Sequence, residues 1–266
     1  MDPINSAATD TAIVAETNQR SVDSVGTGKA ILITIAFYLA QAVVGFVVGI
    51  IAVVYYIATG SRLTAGMIPQ IQQAVMLPAA MLGLVAGGLA VLLLTRRVLR
   101  RSGLQGGLAS LGWRSAGSRE VAVGLCAGVA LVAFYLFVLV RVFPPASGQK
   151  WGPMATAAAI GGWERALWAI TALLAPPIEE FVFRGVLWSG LRRSLGAAVA
   201  GLLVTALFVG SHAMEALSYW PAWLPIAALG VVTVSLRAQT GSLVPPLAVH
   251  AAYNVCLVST VYLGAT

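Results

Sequence analysis

Long apolar runs separated by short polar stretches are the dominant pattern of this chain. A hydrocarbon core of about 30 Å is crossed by about 20 helical residues, and only helices or closed barrels satisfy every backbone polar group in lipid. The pattern therefore predicts an all-α, polytopic transmembrane helical bundle of about seven spans, within a range of six to eight. The seven runs lie at 30–58, 71–95, 121–140, 164–190, 195–214, 222–236 and 242–263.

The composition indicates a membrane protein as well. Of the 266 residues, 59% are hydrophobic and only 9% are charged, whereas about 25% of the residues in an ordinary soluble domain are charged. Both cysteines, Cys126 and Cys256, lie inside apolar runs. We expect them to pack as small side chains, without a disulfide or a CxxC site.

The ends and the basic loops predict the domain organisation and the topology. Residues 1–29 are polar and predict a disordered cytoplasmic tail, followed by a single transmembrane domain over 30–266. Six arginines lie between the second and third runs, and Arg192 and Arg193 lie between the fourth and fifth. The positive-inside rule makes both loops cytoplasmic, which places the N-terminus inside a plasma or inner cell membrane. No phosphate-binding glycine loop accompanies the arginines, so we expect no nucleic-acid partner.

Glu179 and Glu180 are the acidic residues that lie well inside an apolar run, out of nine acidic residues in the chain. Ionisable side chains at membrane depth are costly and by default indicate a functional site. Arg184 follows Glu180 by one helical turn and can pair with it, so that pair is either structural or part of a site. Glu179 has no such cation on its helix face, which favours a functional role.

The two histidines, His212 and His250, also lie within or at the edge of apolar runs, on different predicted helices. Asn254 follows His250 by one helical turn and therefore shares its helix face. The pairs Pro176–Pro177 and Pro245–Pro246 precede Glu179 and His250, and proline predicts that a helix starts or kinks there. Counting the helical rise from the arginine loops gives the glutamates and histidines overlapping depths. We therefore expect these side chains to meet.

This set of side chains is suited to hydrolysis. A carboxylate and an imidazole can hold a water, take its proton and direct the resulting hydroxide at a carbonyl carbon. A second imidazole and an amide can then stabilise the oxyanion that forms. Glu179, His212 and His250 are alternatively a zinc ligand set that leaves one position for water. The chain has no His-Glu-x-x-His motif, and the residues alone leave both chemistries open.

Three segments resemble the motifs of the CPBP intramembrane proteases, the family of type II CAAX prenyl proteases and ABI-type bacteriocin-processing proteins. They occur in the family's order, as Glu179–Gly185, Phe208–His212 and His250–Asn254. The resemblance covers about 175–256 and implies a protease-like core at about 164–263. It implies that Glu179 is the catalytic carboxylate, that His212 helps to activate water, and that His250 and Asn254 stabilise the oxyanion. It also implies that Glu180, Arg184 and Phe208 shape the site.

The resemblance implies an intramembrane endopeptidase that acts on membrane-associated proteins or peptides in the lipid bilayer. Nothing in the residues indicates prenylated substrates. Two other classes stay open: a catalytically inactive membrane scaffold or immunity-type protein, and a transporter or proton relay. The second stays open because paired glutamates, kinked helices and histidines also line ion paths.

Overall fold

The chain folds into a set of long helices, as the apolar pattern predicts. The computed structural model describes residues 25–60, 64–102, 107–145 and 161–264, and within those ranges it contains no strand. The predicted all-α fold is confirmed. The helices are α1 (Thr27–Ala58), α2 (Ile68–Arg101), α3 (Ser118–Val142), α4 (Gly162–Ser211), α5 (Ala213–Ser218), α6 (Trp223–Thr240) and α7 (Val244–Leu263).

Six helices in the described part of the chain are long and apolar enough to cross a membrane. The protein is therefore a multi-pass membrane protein. The count differs from the seven apolar runs because α4 contains both the fourth and the fifth run. Gly196, in the middle of α4, has φ 77° and ψ 166°, a conformation outside the helical region. Glycine adopts such a positive φ without the steric cost that a side chain would add.

The segment labelled α4 is a helical hairpin. Its first arm contains residues 162–195, and its second arm contains residues 197–211. The ring centroids of Phe183 and Phe208 lie 5.4 Å apart, whereas a straight helix would separate them by about 37 Å. The two rings are nearly equidistant in sequence from Gly196, so the arms run antiparallel. The fourth and fifth predicted runs thus correspond to two opposed segments joined at this glycine.

The predicted N-terminal tail overlaps the structure only in its last residues. Residues 1–24 lie outside the described residues, so the prediction of disorder there stays a prediction. Val25 is buried, and α1 begins at Thr27, slightly before the predicted run at Ala30. The hydroxyl of Thr27 donates to the carbonyl of Gly190 at 2.8 Å, which joins the start of α1 to the first arm of the hairpin.

Two glycines of α3 allow close contact with α7, the helix that carries His250. A Cβ atom on Gly128 would overlap the carbonyl oxygen of Val249, and one on Gly124 would lie 2.7 Å from the carbonyl oxygen of Pro245. Contacts this short exclude a larger side chain, because the neighbouring atoms belong to the backbone. The missing side chains therefore set the position of α7 in the bundle.

Candidate active site

The hairpin and α7 bring the predicted site residues together. The Oε2 atom of Glu179, on the first arm, lies 4.0 Å from Nε2 of His212 at the end of the second arm. The same oxygen lies 3.8 Å from Nε2 of His250 on α7. The expectation that these side chains meet is confirmed, and both imidazoles face one carboxylate oxygen.

The first arm changes its helical geometry directly after the glutamates. The α-helical part ends at Glu180 and continues as a π-helical turn, Phe181–Leu187. Such turns are uncommon and often occur at functional sites. Pro176–Pro177 lie inside the helix and do not start it, whereas Pro245–Pro246 stand at the beginning of α7, as predicted.

A buried ion pair fixes the orientation of one imidazole. Oε1 of Glu180 accepts a hydrogen bond from Nη1 of Arg184 at 3.1 Å and another from Nδ1 of His250 at 2.9 Å. The side chains of Glu180 and Arg184 are fully buried, and that of His250 is 3% exposed. The predicted pairing of Glu180 with Arg184 is confirmed. Because Nδ1 of His250 donates to the carboxylate, its Nε2 atom is the one turned toward Glu179.

The end of the second arm orients the other imidazole. The backbone amide of His212 donates to Val209 at 3.1 Å instead of continuing the α-helical pattern. The carbonyl oxygen of Phe208 lies 2.9 Å from Nδ1 of His212 and also accepts from the Ser211 hydroxyl at 2.7 Å. A proton on Nδ1 satisfies the first of these contacts, and leaves Nε2 of His212 as the nitrogen that faces Glu179.

The ring of Phe208 lies between the charged groups and the imidazoles. Its centroid is 4.4 Å from the guanidinium carbon of Arg184, 4.7 Å from the ring of His212 and 5.7 Å from that of His250. The ring is fully buried. A guanidinium over an aromatic face is attracted by the ring quadrupole, so Phe208 packs against the cation and both histidines at once.

Glu179 and His212 are less deeply buried than the ion pair behind them. Glu179 is 15% exposed and His212 is 19% exposed, whereas Glu180 and Arg184 are fully buried. The Oε2 atom of Glu179 is itself buried and, among the described residues, has no hydrogen-bond donor. A carboxylate oxygen that faces two imidazole nitrogens and lacks a protein donor is suited to bind a water and accept its proton.

The comparison with known proteins matches the part of the chain that contains these side chains. Residues 161–256 match the family model described as type II CAAX prenyl endopeptidase Rce1-like. The chain carries an Rce1-like segment. The predicted resemblance to the CPBP proteases is thereby confirmed, and the match supports an intramembrane endopeptidase at the level of the family. No curated protein and no solved structure matches the chain.

Asn254 lies at the edge of the Rce1-like segment, one turn beyond His250 on α7. Its Nδ2 atom donates to the carbonyl oxygen of Ala172 at 2.7 Å, which ties α7 to the first arm of the hairpin. A primary amide carries two N–H donors, so this bond uses one of them and leaves the second for another acceptor.

The alternative zinc set consists of the same three converging side chains, Glu179, His212 and His250. A search of the described part of the chain for groups of three or more His, Cys, Asp or Glu side chains that could hold a metal ion finds none. A role of these three residues as zinc ligands stays a prediction.

One neighbour of the site was not predicted from the sequence. The hydroxyl of Ser211 lies 3.2 Å from Nδ1 of His212. A serine next to His212 is a weak signal in the sequence.

Proposed function

We propose that this protein is an intramembrane endopeptidase that hydrolyses peptide bonds of membrane-associated proteins or peptides with a water activated by Glu179 and His212. The observation that carries the proposal is the convergence of two imidazole Nε2 atoms on the one Glu179 oxygen, at 3.8 and 4.0 Å. The Rce1-like match supports the reaction class.

In the proposed reaction, a water binds between Glu179 and His212. Hydrogen bonds of about 2.8 Å to both groups span the 4.0 Å between their facing atoms in a bent arrangement. Glu179 takes a proton from the water while the oxygen of that water bonds to the carbonyl carbon of the substrate. The tetrahedral intermediate then expels the amine, which receives that proton, so that one water is consumed for each peptide bond cleaved.

His250 and Asn254 are proposed to stabilise the oxyanion of that intermediate. His250 already donates through Nδ1 to Glu180 at 2.9 Å, so it offers a second N–H only when it carries both protons. The nitrogen that would carry this second proton is Nε2, which lies 3.8 Å from Oε2 of Glu179. The second N–H of Asn254 supplies a further donor, and such donors contribute most where water is excluded.

The buried pair of Glu180 and Arg184 is proposed to position the site and not to react. It holds Nδ1 of His250, as a carboxylate holds a functional histidine in many enzymes. Arg184 also donates to the carbonyl of Gly230 on α6 at 3.2 Å. The pair therefore connects the catalytic arm with α6 and α7.

The cytoplasmic position of the N-terminus, in a plasma or inner cell membrane, is also proposed. The start of α1 contacts the hairpin turn through Thr27 and Ser194 at 2.6 Å. Arg114, in the loop after α2, donates to Gly241 after α6 at 3.1 Å. Since the last turn of α6 contacts the first arm near the hairpin turn, the arginine-rich loops lie at one end of the bundle. Single cysteines introduced at Ser102 or at Gly60, and labelled in sealed cells with a thiol reagent that does not cross the membrane, test this topology. We expect labelling at position 60 and not at position 102. Labelling at position 102 alone would contradict the proposed orientation.

The experiment that tests the proposed function compares the wild type with Glu179→Gln in detergent. A quenched fluorescent library of membrane peptides serves as substrate, with and without a strong chelator. Glu164→Gln, in the first turn of the same helix, is the matched control. We expect cleavage by the wild type and the control, and a loss of at least about 100-fold in Glu179→Gln, the scale of general-base catalysis.

The outcomes separate the alternatives. A cleavage rate that is the same with and without the chelator supports a water held by protein groups. A cleavage activity that is lost on chelation and recovered with zinc supports the metalloprotease. Equal cleavage by the wild type and Glu179→Gln would refute the proposed mechanism. A protein that cleaves nothing but still binds a membrane partner would be a scaffold or immunity-type protein, and proton or solute flux would indicate a transporter.

A further inference from the structure

A groove lies on the surface of the bundle between the second arm of the hairpin and α6. Its volume is about 390 Å³, and its walls are formed by residues 197–205 of the second arm and residues 231–238 of α6, with Trp188 of the first arm also lining it. None of the described residues that line it is charged. Leu202, one of them, is 71% exposed. The groove therefore opens toward the lipid, and an acyl chain is the ligand that its surface fits.

One end of the groove lies at the hairpin turn. A Cβ atom on Gly201 would lie 3.6 Å from the side chain of Val234, and the hydroxyl of Thr205 donates to the carbonyl of Gly230 at 3.3 Å. The second arm and α6 therefore run antiparallel, so the groove begins beside Gly196 and the last turn of α6. It extends about 12 Å along the second arm. That length is most of the depth of one leaflet, which is half of a hydrocarbon core of about 30 Å.

Two arginines, one near the hairpin turn and one in the last turn of α6, both contact the ring of Trp188. The guanidinium carbon of Arg192 lies 4.7 Å from the ring centroid, and that of Arg237 lies 5.1 Å from it. The two charges are thus within about one Debye length of each other, about 10 Å in ~0.1 M salt, and they repel. Arg192 is exposed, whereas Arg237 is 4% exposed. The Nε1 atom of Trp188 is buried and has no hydrogen-bond acceptor among the described residues.

Acidic side chains do not balance these two charges. In the described part of the chain, neither guanidinium forms an ion pair with a carboxylate. Arg237 donates to neutral oxygens, the carbonyl of Arg184 at 3.2 Å and the hydroxyl of Ser189 at 3.4 Å. The carbonyls at the end of α6 carry about half a negative charge, and Arg114 already donates to two of them, at 3.1 and 3.2 Å. A positive potential therefore remains at this end of the groove.

We propose that the groove binds one anionic phospholipid, with the headgroup phosphate on Arg192 and one acyl chain between the second arm and α6. Arg192 is the accessible donor, and a guanidinium binds phosphate oxygens through two parallel hydrogen bonds. Arg237 is too deeply buried to contact the headgroup and contributes through its unbalanced charge. Basic pockets between transmembrane helices bind anionic headgroups in other membrane proteins. This site is separate from the proposed catalytic residues, so the inference does not rest on the proposed function.

Native mass spectrometry of the full chain, released from a neutral detergent, measures the binding. Phosphatidylglycerol and phosphatidylcholine with identical acyl chains are titrated separately. We expect one phosphatidylglycerol to bind about tenfold more tightly than phosphatidylcholine, the scale of one charge-assisted hydrogen bond. Arg192→Gln should lose that preference. Arg97→Gln, which removes an exposed arginine of α2, is the matched control and should keep it.

A second pair of variants tests the acyl-chain groove. Ala198 is exposed and lines the groove, whereas its neighbour Val199 is exposed and is not among the described residues that line it. Ala198→Phe should weaken the binding of phosphatidylglycerol at least about tenfold, because its ring displaces about two buried methylene groups of the chain. Val199→Phe should bind like the wild type. Since both positions are exposed, the lipid-free variants should unfold at the same temperature as the wild type.

The outcomes decide between a lipid and a free anion. Equal affinity for the two lipids, or equal binding by Arg192→Gln and Arg97→Gln, would refute the headgroup site. If inorganic phosphate competes for the site while Ala198→Phe binds phosphatidylglycerol like Val199→Phe, the groove holds no acyl chain and the lipid proposal is overturned. These measurements need no peptide substrate, so their failure is distinguishable from the failure of the Glu179→Gln cleavage test.

Discussion

Replacing Glu180 by glutamine removes a carboxylate that contacts both a buried cation and a catalytic candidate. Its Oε1 atom lies 3.1 Å from Nη1 of Arg184 and 2.9 Å from Nδ1 of His250, and the carboxylate and guanidinium are fully buried. Glutamine has nearly the same shape, so the substitution changes charge with little change in packing. The variant therefore leaves the guanidinium buried without its counter-charge.

The size of the effect follows from that burial. Removing one partner of a buried ion pair costs about 3–5 kcal/mol. We expect the lower end, about 3 kcal/mol of unfolding free energy, because Arg184 keeps its bond to Gly230 at 3.2 Å. In Glu180→Gln/Arg184→Met both charges are gone, and apolar replacements of buried pairs are often neutral. The double variant should recover most of the stability but not cleavage, because the neutral amide oxygen of glutamine is a weaker acceptor for Nδ1 of His250 than the carboxylate is.

Unfolding in mixed detergent micelles, followed by tryptophan fluorescence, measures the stability, and the peptide library measures kcat. Glu164→Gln is the matched control, since it removes a carboxylate at the first turn of the same helix and should shift stability by less than about 0.5 kcal/mol. A Glu180→Gln variant as stable as the control would refute the buried-pair argument. Recovery of both stability and kcat in the double variant would show that His250 does not need Glu180.

Three further predictions concern packing and the oxyanion. Gly128→Ala should destabilise the protein by about 1–3 kcal/mol, because its Cβ would overlap the backbone of α7; Gly45→Ala, with open space around it, is the control in thermal unfolding. Asn254→Ala should lower kcat about 100-fold, as loss of an oxyanion donor does, and an unchanged kcat would remove Asn254 from the site. Phe208→Leu should cost about 1–2 kcal/mol in the same unfolding assay, since it loses the contact at 4.4 Å with the Arg184 guanidinium.

The sequence by itself determined the fold class and the identity of the polar residues that matter. Lipid requires every backbone group to be bonded internally, so long apolar runs allow few structures other than helices. The same medium makes intramembrane charges costly, which is why Glu179, Glu180 and the two histidines stand out in a chain with few charges. The pair of Glu180 and Arg184 was also predictable, because its spacing of one helical turn is a local property.

Only the tertiary structure decided how those residues are combined. The two runs and the basic loop between them predicted opposed spans. The tight reversal at Gly196 was not predictable, because it depends on a backbone conformation that glycine permits but does not require. The sharing of one Glu179 oxygen by two imidazoles depends on distances between separate helices, set by contacts such as that of Gly128 with α7. Such distances arise from the packing of surfaces remote in sequence, which no local pattern records.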